Sequence, residues 1–116
     1  MIINIRPIPK GRPCFSRGHA YTPKRTRIFE AEVKILLKRN EFREGRMFPT
    51  ENKVILSIMF VYKRDADIDN FVKAFSDSAN GVLFKDDRQV VKIDAGKRKY
   101  VKDKEVPHIE YSVEEA

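Results

Sequence analysis

The stretch Lys53–Phe75, KVILSIMFVYKRDADIDNFVKAF, changes its periodicity part-way along. Lys53 to Lys63 is an unbroken β-branched and aromatic run, the pattern of a central strand with at least one thoroughly buried face. Beyond it, Phe71, Ala74, Phe75, Ser78 and Val82 recur at the 3–4 spacing of a buried helical face. The spacing predicts a helix that starts near Asp69 or Asn70 and ends near Asn80, with Gly81 as a left-handed stop. Between strand and helix stand Asp65, Asp67 and Asp69 at alternate positions, in a chain of net charge +7. Carboxylates crowded at the mouth of a helix in so basic a chain call for a reason.

Working outward, Ile3, Ile5 and Ile8 around Pro7 predict a short edge strand. Lys10–Arg25 is rich in Gly, Pro and Ser and predicts a basic loop. A helix is expected over Lys24–Asn40, with Thr22 as N-cap and Pro23 at the first helical position. Phe29, Val33, Leu36 and Leu37 form one apolar stripe on it; Ile28, Ala31 and Ile35 form a second. Two stripes mean either deep burial against a sheet or a contact with another subunit. Asn40–Asn52 is a polar connection and Leu83–Gln89 a turn. Val90–Val101 is a strand that either continues through Ala95–Lys99 or is interrupted there. His108–Val113 alternates and is expected to close the sheet. The order is β-α-β-α-β-β: a mixed α/β arrangement of the α+β class, one small domain over residues 1–116, with helices packed on a sheet.

Composition agrees with this scale. The chain has 116 residues, 41% of them apolar and 35% charged, enough for a single modest core. Lys and Arg number 24 against 17 Asp and Glu, and the pI near 9.6 favours an anionic partner such as nucleic acid. Cys14 is the sole cysteine, which excludes an internal disulfide and a cysteine-built zinc site within one chain. His19 and His108 lack metal-ligand spacing. No apolar run reaches the ~20 residues of a membrane helix, and the N-terminus lacks the apolar region of a secretory signal. A soluble, cytoplasmic protein with no membrane partner is expected.

The acidic cluster has a chemical logic. In extended backbone, side chains two apart share a side, so Asp67 and Asp69 are expected to converge. Converging carboxylates repel unless a cation sits between them, and hard oxygen ligands suit a divalent ion such as Mg²⁺. Lys73 follows Asp69 by one helical turn, and Asn70, Lys73 and Asp77 lie opposite the apolar stripe. A second acidic pair, Asp86–Asp87, precedes the next strand, and one of the two is expected to return to the Asp67/Asp69 site. Such a site would hydrolyse a phosphodiester, with Lys73 supporting the transition state or the leaving oxygen. The alternative is a helix N-cap followed by a solvated, charge-alternating face.

Arg64–Val91, RDADIDNFVKAFSDSANGVLFKDDRQVV, resembles the signature of the RusA family of Holliday junction resolvases, enzymes of bacteria and phages. The pattern of D-x-D-N, a lysine three residues later, an Asp, a Gly and D-D-x-Q-V is met by Asp67, Asp69, Asn70, Lys73, Asp77, Gly81, Asp86, Asp87, Gln89 and Val90. The upstream PIPKGRPCFSRGHAYTPKRTRIFE is similar to the basic segment of phage-type members, with Cys14 where many have arginine. The resemblance implies a Mg²⁺-dependent endonuclease, bacterial or phage-encoded, without a small-molecule cofactor. It implies a homodimer that nicks two opposed strands of a four-way DNA junction in recombination and repair. It assigns catalysis and metal binding to Asp67, Asp69 and Asp87, and an essential lysine to Lys73, with Asn70, Asp77 and Asp86 in support.

DNA contacts are expected from Lys10, Arg12, Arg17, Lys24, Arg25 and Arg27 near the N-terminus and from Lys97, Arg98 and Lys99 further on. Phe15 and Tyr21 lie among them, placed either to stack on bases at a branch point or to pin the loop to the core. Asp65 falls outside the matched pattern and is expected to be a surface residue. Two other functions compete: a catalytically inactive basic DNA-binding module, and a less selective nuclease of flaps or forks.

Overall fold

The computed structural model describes residues 1–46 and 48–116. In chain order come β1 (Ile2–Ile3), a hairpin of β2 (Cys14–Ser16) and β3 (His19–Tyr21), and α1 (Lys24–Arg43). Then follow β4 (Val54–Tyr62), α2 (Ile68–Ala79), β5 (Val90–Lys99) and β6 (His108–Glu115). The main sheet has the order β1-β6-β4-β5. β4 pairs in parallel with β5 and antiparallel with β6, and β6 pairs antiparallel with β1.

Alternate residues of a strand face opposite ways, and the sheet buries one side. Val54, Leu56, Ile58 and Phe60 of β4 join Ile109, Tyr111 and Val113 of β6 beneath the helices. Phe29, Val33 and Leu37 of α1 and Phe71, Ala74, Phe75 and Ala79 of α2 complete that core. Phe71 stacks on Phe60 with ring centroids 5.3 Å apart, and Phe75 tilts against Tyr111 at 5.7 Å. Each such ring contributes roughly 1.5–3 kcal/mol by leaving water. The helices are tied at their polar edges too. Lys34 of α1 donates to the Ser78 and Asn80 carbonyls, both at 2.9 Å, and so caps the free C-terminal end of α2.

Several expectations change. β6 does not close the sheet; it lies between β1 and β4, because the N-terminus returns to pair with it at the edge. The first strand is only Ile2–Ile3. α1 runs to Arg43, and Pro23 is its N-cap with no side-chain cap bond from Thr22. Its second stripe stays in water: Ile28 is 49% and Ile35 57% exposed, so this helix is half-buried rather than deeply embedded. The Lys10–Arg25 loop contains the β2–β3 hairpin, turned by Arg17 (φ 52°) and Gly18 (φ 79°). Two left-handed residues in succession match the twist of a tight hairpin, and its three-residue, exposed strands have no hydrophobic alternation to announce them. β5 continues without interruption, but as an edge strand it leaves Val91 51% exposed. Gly81 is left-handed (φ 85°), as its place after α2 predicts.

Candidate active site

α2 starts at Ile68, with Asp67 as its N-cap in extended conformation (φ −62°, ψ 137°). Asp69 therefore lies in the first helical turn, and Asp67 and Asp69 are not two alternate side chains of one extended strand. What the helix start does instead is leave the carboxylates free. The Asp67 carbonyl accepts from Asn70 N and Phe71 N, but its side chain makes no cap bond. Asp69 accepts only from the neighbouring Asn70 N, at 3.1 Å. An N-cap side chain is worth about 1 kcal/mol when it caps. Here that stabilisation is forgone, and two exposed carboxylates stand at the positive end of the helix.

Two lysines lie on the elements that flank them. Lys97 on β5 donates to Asp65 Oδ1 at 2.7 Å and to the Ala66 carbonyl at 2.9 Å, with its ammonium 5.9 Å from the Tyr62 ring centroid. The bond to Asp65 raises the Lys97 pKa against a lesser desolvation, and the Asp67 charge adds to the rise. Asp65 is thus an exposed surface residue that fastens the strand-to-helix loop to β5. Lys73 is 64% exposed along its side chain and lies 3.7 Å from Asp77.

Asp77 also meets Lys10 at 3.0 Å, and Lys10 meets Glu30 of α1 at 2.6 Å. Lys10, expected as a DNA contact, is a tie between the two helices, and its backbone N–H donates to the Asn70 carbonyl at 2.9 Å. Burial lowers the Lys10 pKa, but the bonds to Glu30 and Asp77 outweigh it and hold the ammonium above 10.5. This stabilisation is therefore complete at neutral pH and is lost as the pH rises past the folded-state value. Lys10→Met leaves two partly buried carboxylates without their cation, and we expect a loss of about 1–2 kcal/mol in urea unfolding at pH 7. An unchanged midpoint would show the tie to be inert.

The second acidic pair divides cleanly. Asp86 caps a 3₁₀ turn over Asp87–Gln89, accepting from Arg88 N at 2.8 Å while Gln89 Oε1 accepts from Asp86 N at 2.8 Å. The Gln89 amide in turn donates to the Thr50 and Asn52 carbonyls, both at 2.8 Å. Asp86 is thereby structural; Asp87 is exposed, and its side chain is unpartnered among the described residues. The turn does not return to Asp67, however. β5 runs parallel to β4, registered from Val54↔Val90 to Tyr62↔Lys99, so Asp87 precedes the start of the strand pair and Asp67 follows its end. At about 3.3 Å per residue the strand length separates them by roughly 30 Å. Among the described residues no three His, Cys, Asp or Glu side chains gather to hold a metal.

Of the remaining basic residues, Arg12, Arg17, Lys24, Arg25, Arg27 and Lys99 are exposed. Arg98 instead grips Glu105 through both nitrogens, at 2.5 and 2.9 Å, clamping the β5–β6 connection. That bond, helped by Val101 N, lowers the Glu105 pKa from 4.5 to about 2. The clamp is therefore intact above pH 4.5 and released as the pH falls towards about 2. A carbon-detected NMR titration should show the Glu105 carboxyl protonating near pH 2, and at a distinctly higher pH in Arg98→Gln, where the Val101 N–H still holds it down; titration near 4.5 in the wild type would refute the clamp. Phe15 is 75% and Tyr21 50% exposed on the hairpin, so neither pins it to the core. Sequence reasoning passed over Arg6 and Arg64, which line a cleft with Arg25 and Asp65. No signal in the sequence joins them, because the fold alone brings their segments together.

The family model for endodeoxyribonuclease RusA matches residues 4–114. The chain belongs to the RusA endodeoxyribonuclease family. No curated protein gives a match. The RusA match includes both helices, β4 and β5 and every acidic residue discussed above, so family and free carboxylates fall on the same elements. No helix among the described residues is long and apolar enough to cross a membrane.

Proposed function

We propose that this RusA-family chain is a Mg²⁺-dependent endodeoxyribonuclease that resolves four-way DNA junctions by paired, symmetric nicks, acting as a homodimer. The observation that carries this is the pair Asp67 and Asp69, whose side chains make no helix cap bond at the start of α2 and, among the described residues, no ion pair, in a chain of net charge +7. The donor set fits the ion: hard carboxylate oxygens, exposed to water, and Mg²⁺ is commonly held by one or two carboxylates together with waters and substrate phosphate. When bound, the ion would lower the pKa of a water and offset charge gathering on the phosphate.

The protein's own groups do the rest. Asp67 and Asp69 would hold the ion at a helix mouth anchored from behind by Phe71, Ala74 and Phe75. Lys73, one turn along and exposed, would meet the departing oxygen. Lys97 holds the loop that carries Asp67 and adds a positive charge beside it. Asp87 can join this site only from a second copy, since its own chain holds it at the other end of the sheet. A two-fold dimer places two such sites on one junction, which suits paired nicks.

The test is a labelled synthetic four-way junction with Mg²⁺, run beside linear duplex, a flap and a fork, with and without EDTA. Paired nicks in the junction alone, abolished by EDTA, are expected. Equal cutting of flap and fork would point to the less selective nuclease, binding without cutting to the inactive module, and cutting in EDTA would remove the metal from the mechanism.

A further inference from the structure

Arg6 follows β1, Arg25 sits in the first turn of α1, and Arg64 lies between β4 and α2. The fold brings these three arginines to one cleft of about 360 Å³, which they line with Pro7, Pro9 and Asp65. Among the described residues its one carboxylate, Asp65, already accepts from Lys97. Among the described residues the arginines with carboxylate partners are Arg46, Arg88 and Arg98; Arg6, Arg25 and Arg64 have none. Unpaired like charges gathered from separate segments repel, and an anion in the cleft would offset that repulsion.

Chemistry and position narrow the anion. Guanidinium forks match phosphate oxygens two at a time and are little hydrated, which makes them better suited to phosphate than lysine is. The segment that brings Arg6, Pro7 and Pro9 to the cleft is held to the first turn of α2 by the Lys10 N–H to Asn70 carbonyl bond. Arg64 and Asp65, which also line the cleft, lie three and two residues before Asp67. A DNA strand cut at Asp67 and Asp69 would bring a neighbouring phosphate to this cleft.

We infer that Arg6, Arg25 and Arg64 form a subsite for a DNA backbone phosphate beside the one that is cut. The inference rests on the nuclease function proposed above and adds the subsite to it. Three guanidinium groups on one phosphate fix the register of the strand, so that a single bond is presented to the carboxylates.

The test uses the full-length protein with Arg6→Gln/Arg64→Gln, beside Arg39→Gln/Arg43→Gln on exposed α1 positions, which removes the same charge elsewhere. Junction affinity is measured in EDTA over a range of salt, and the wild type is separately assayed for cutting in Mg²⁺. The cleft variant should bind about tenfold more weakly, with a slope of log K against log salt shallower by about one. The α1 variant should stay close to wild type, and both should melt as wild type does. Junctions with single neutral methylphosphonates near the cut then locate the phosphate. One position should weaken the wild type and leave the cleft variant unaffected. If the wild type cuts but the two variants behave alike, or no methylphosphonate position separates them, the subsite is wrong and the nuclease stands. If inorganic phosphate binds the cleft at micromolar concentration while junction affinity ignores the cleft variant, the site serves a free anion and the inference fails. If the wild type neither binds nor cuts a junction, the function and the subsite fall together.

Discussion

Asp67→Asn should lose junction cleavage by about 10³-fold in Mg²⁺ while binding the junction at least as tightly as the wild type. A metal ligand contributes through several kcal/mol of charge stabilisation in the transition state, and each 1.36 kcal/mol is a factor of ten in rate. Binding moves the other way, since deleting a negative charge can only strengthen the attraction for phosphate. The structure sharpens this expectation. The Asp67 side chain makes no cap bond, so asparagine, itself a good N-cap, removes no contact that holds α2. The melting midpoint should therefore stay within the equivalent of about 0.5 kcal/mol. Single-turnover cleavage, equilibrium binding in EDTA and a thermal melt separate the cases. Undiminished cutting would dismiss Asp67 from catalysis, and a large fall in stability would mark it as structural.

Phe71→Ala should destabilise the protein by about 3–5 kcal/mol, the range for removing a buried aromatic ring from a core. Phe71 is 1% exposed, stacked on Phe60 at 5.3 Å and on Tyr62 at 6.2 Å. It lies two residues beyond Asp69, so it seats the helix start that presents the carboxylates. Urea unfolding at equilibrium reads the loss directly. Cleavage should fall as well, even where the variant is still folded, because a loosened first turn no longer fixes Asp67 and Asp69. Phe71→Leu, which keeps most of the apolar volume, should recover much of both. A cost below about 1 kcal/mol would mean that α2 is seated by other residues.

Much of the molecule was legible because its signals are local. The apolar run of β4, the one-sided spacing of α2 and the glycine after it each reflect a periodicity or a backbone preference that neighbouring residues carry. The free carboxylates were legible for the same reason, though the details were not. Whether Asp67 is extended or helical depends on where the first turn closes, and a shift of one or two residues there changed the geometry argued for the pair. Asp86 could be told from Asp87 only when its bond to Arg88 N and the reach of Gln89 to Thr50 and Asn52 were seen. Lys10, Lys97 and Arg98 were legible as positive charges but not as the partners of Glu30, Asp65 and Glu105, which come from other segments.

The sequence by itself determined the fold class, the β-α-β-α-β-β order of the main elements, the basic balance and the acidic residues that the family match encompasses. Those follow from side-chain chemistry and spacing along the chain. Only the tertiary structure decided that β6 lies inside the sheet, that Asp87 stands a strand's length from Asp67, and that three arginines share one cleft. Each of these depends on strand direction and on pairing between distant segments. A parallel β4–β5 pair carries the turn after α2 back to the start of β4, and nothing in the local sequence records that return.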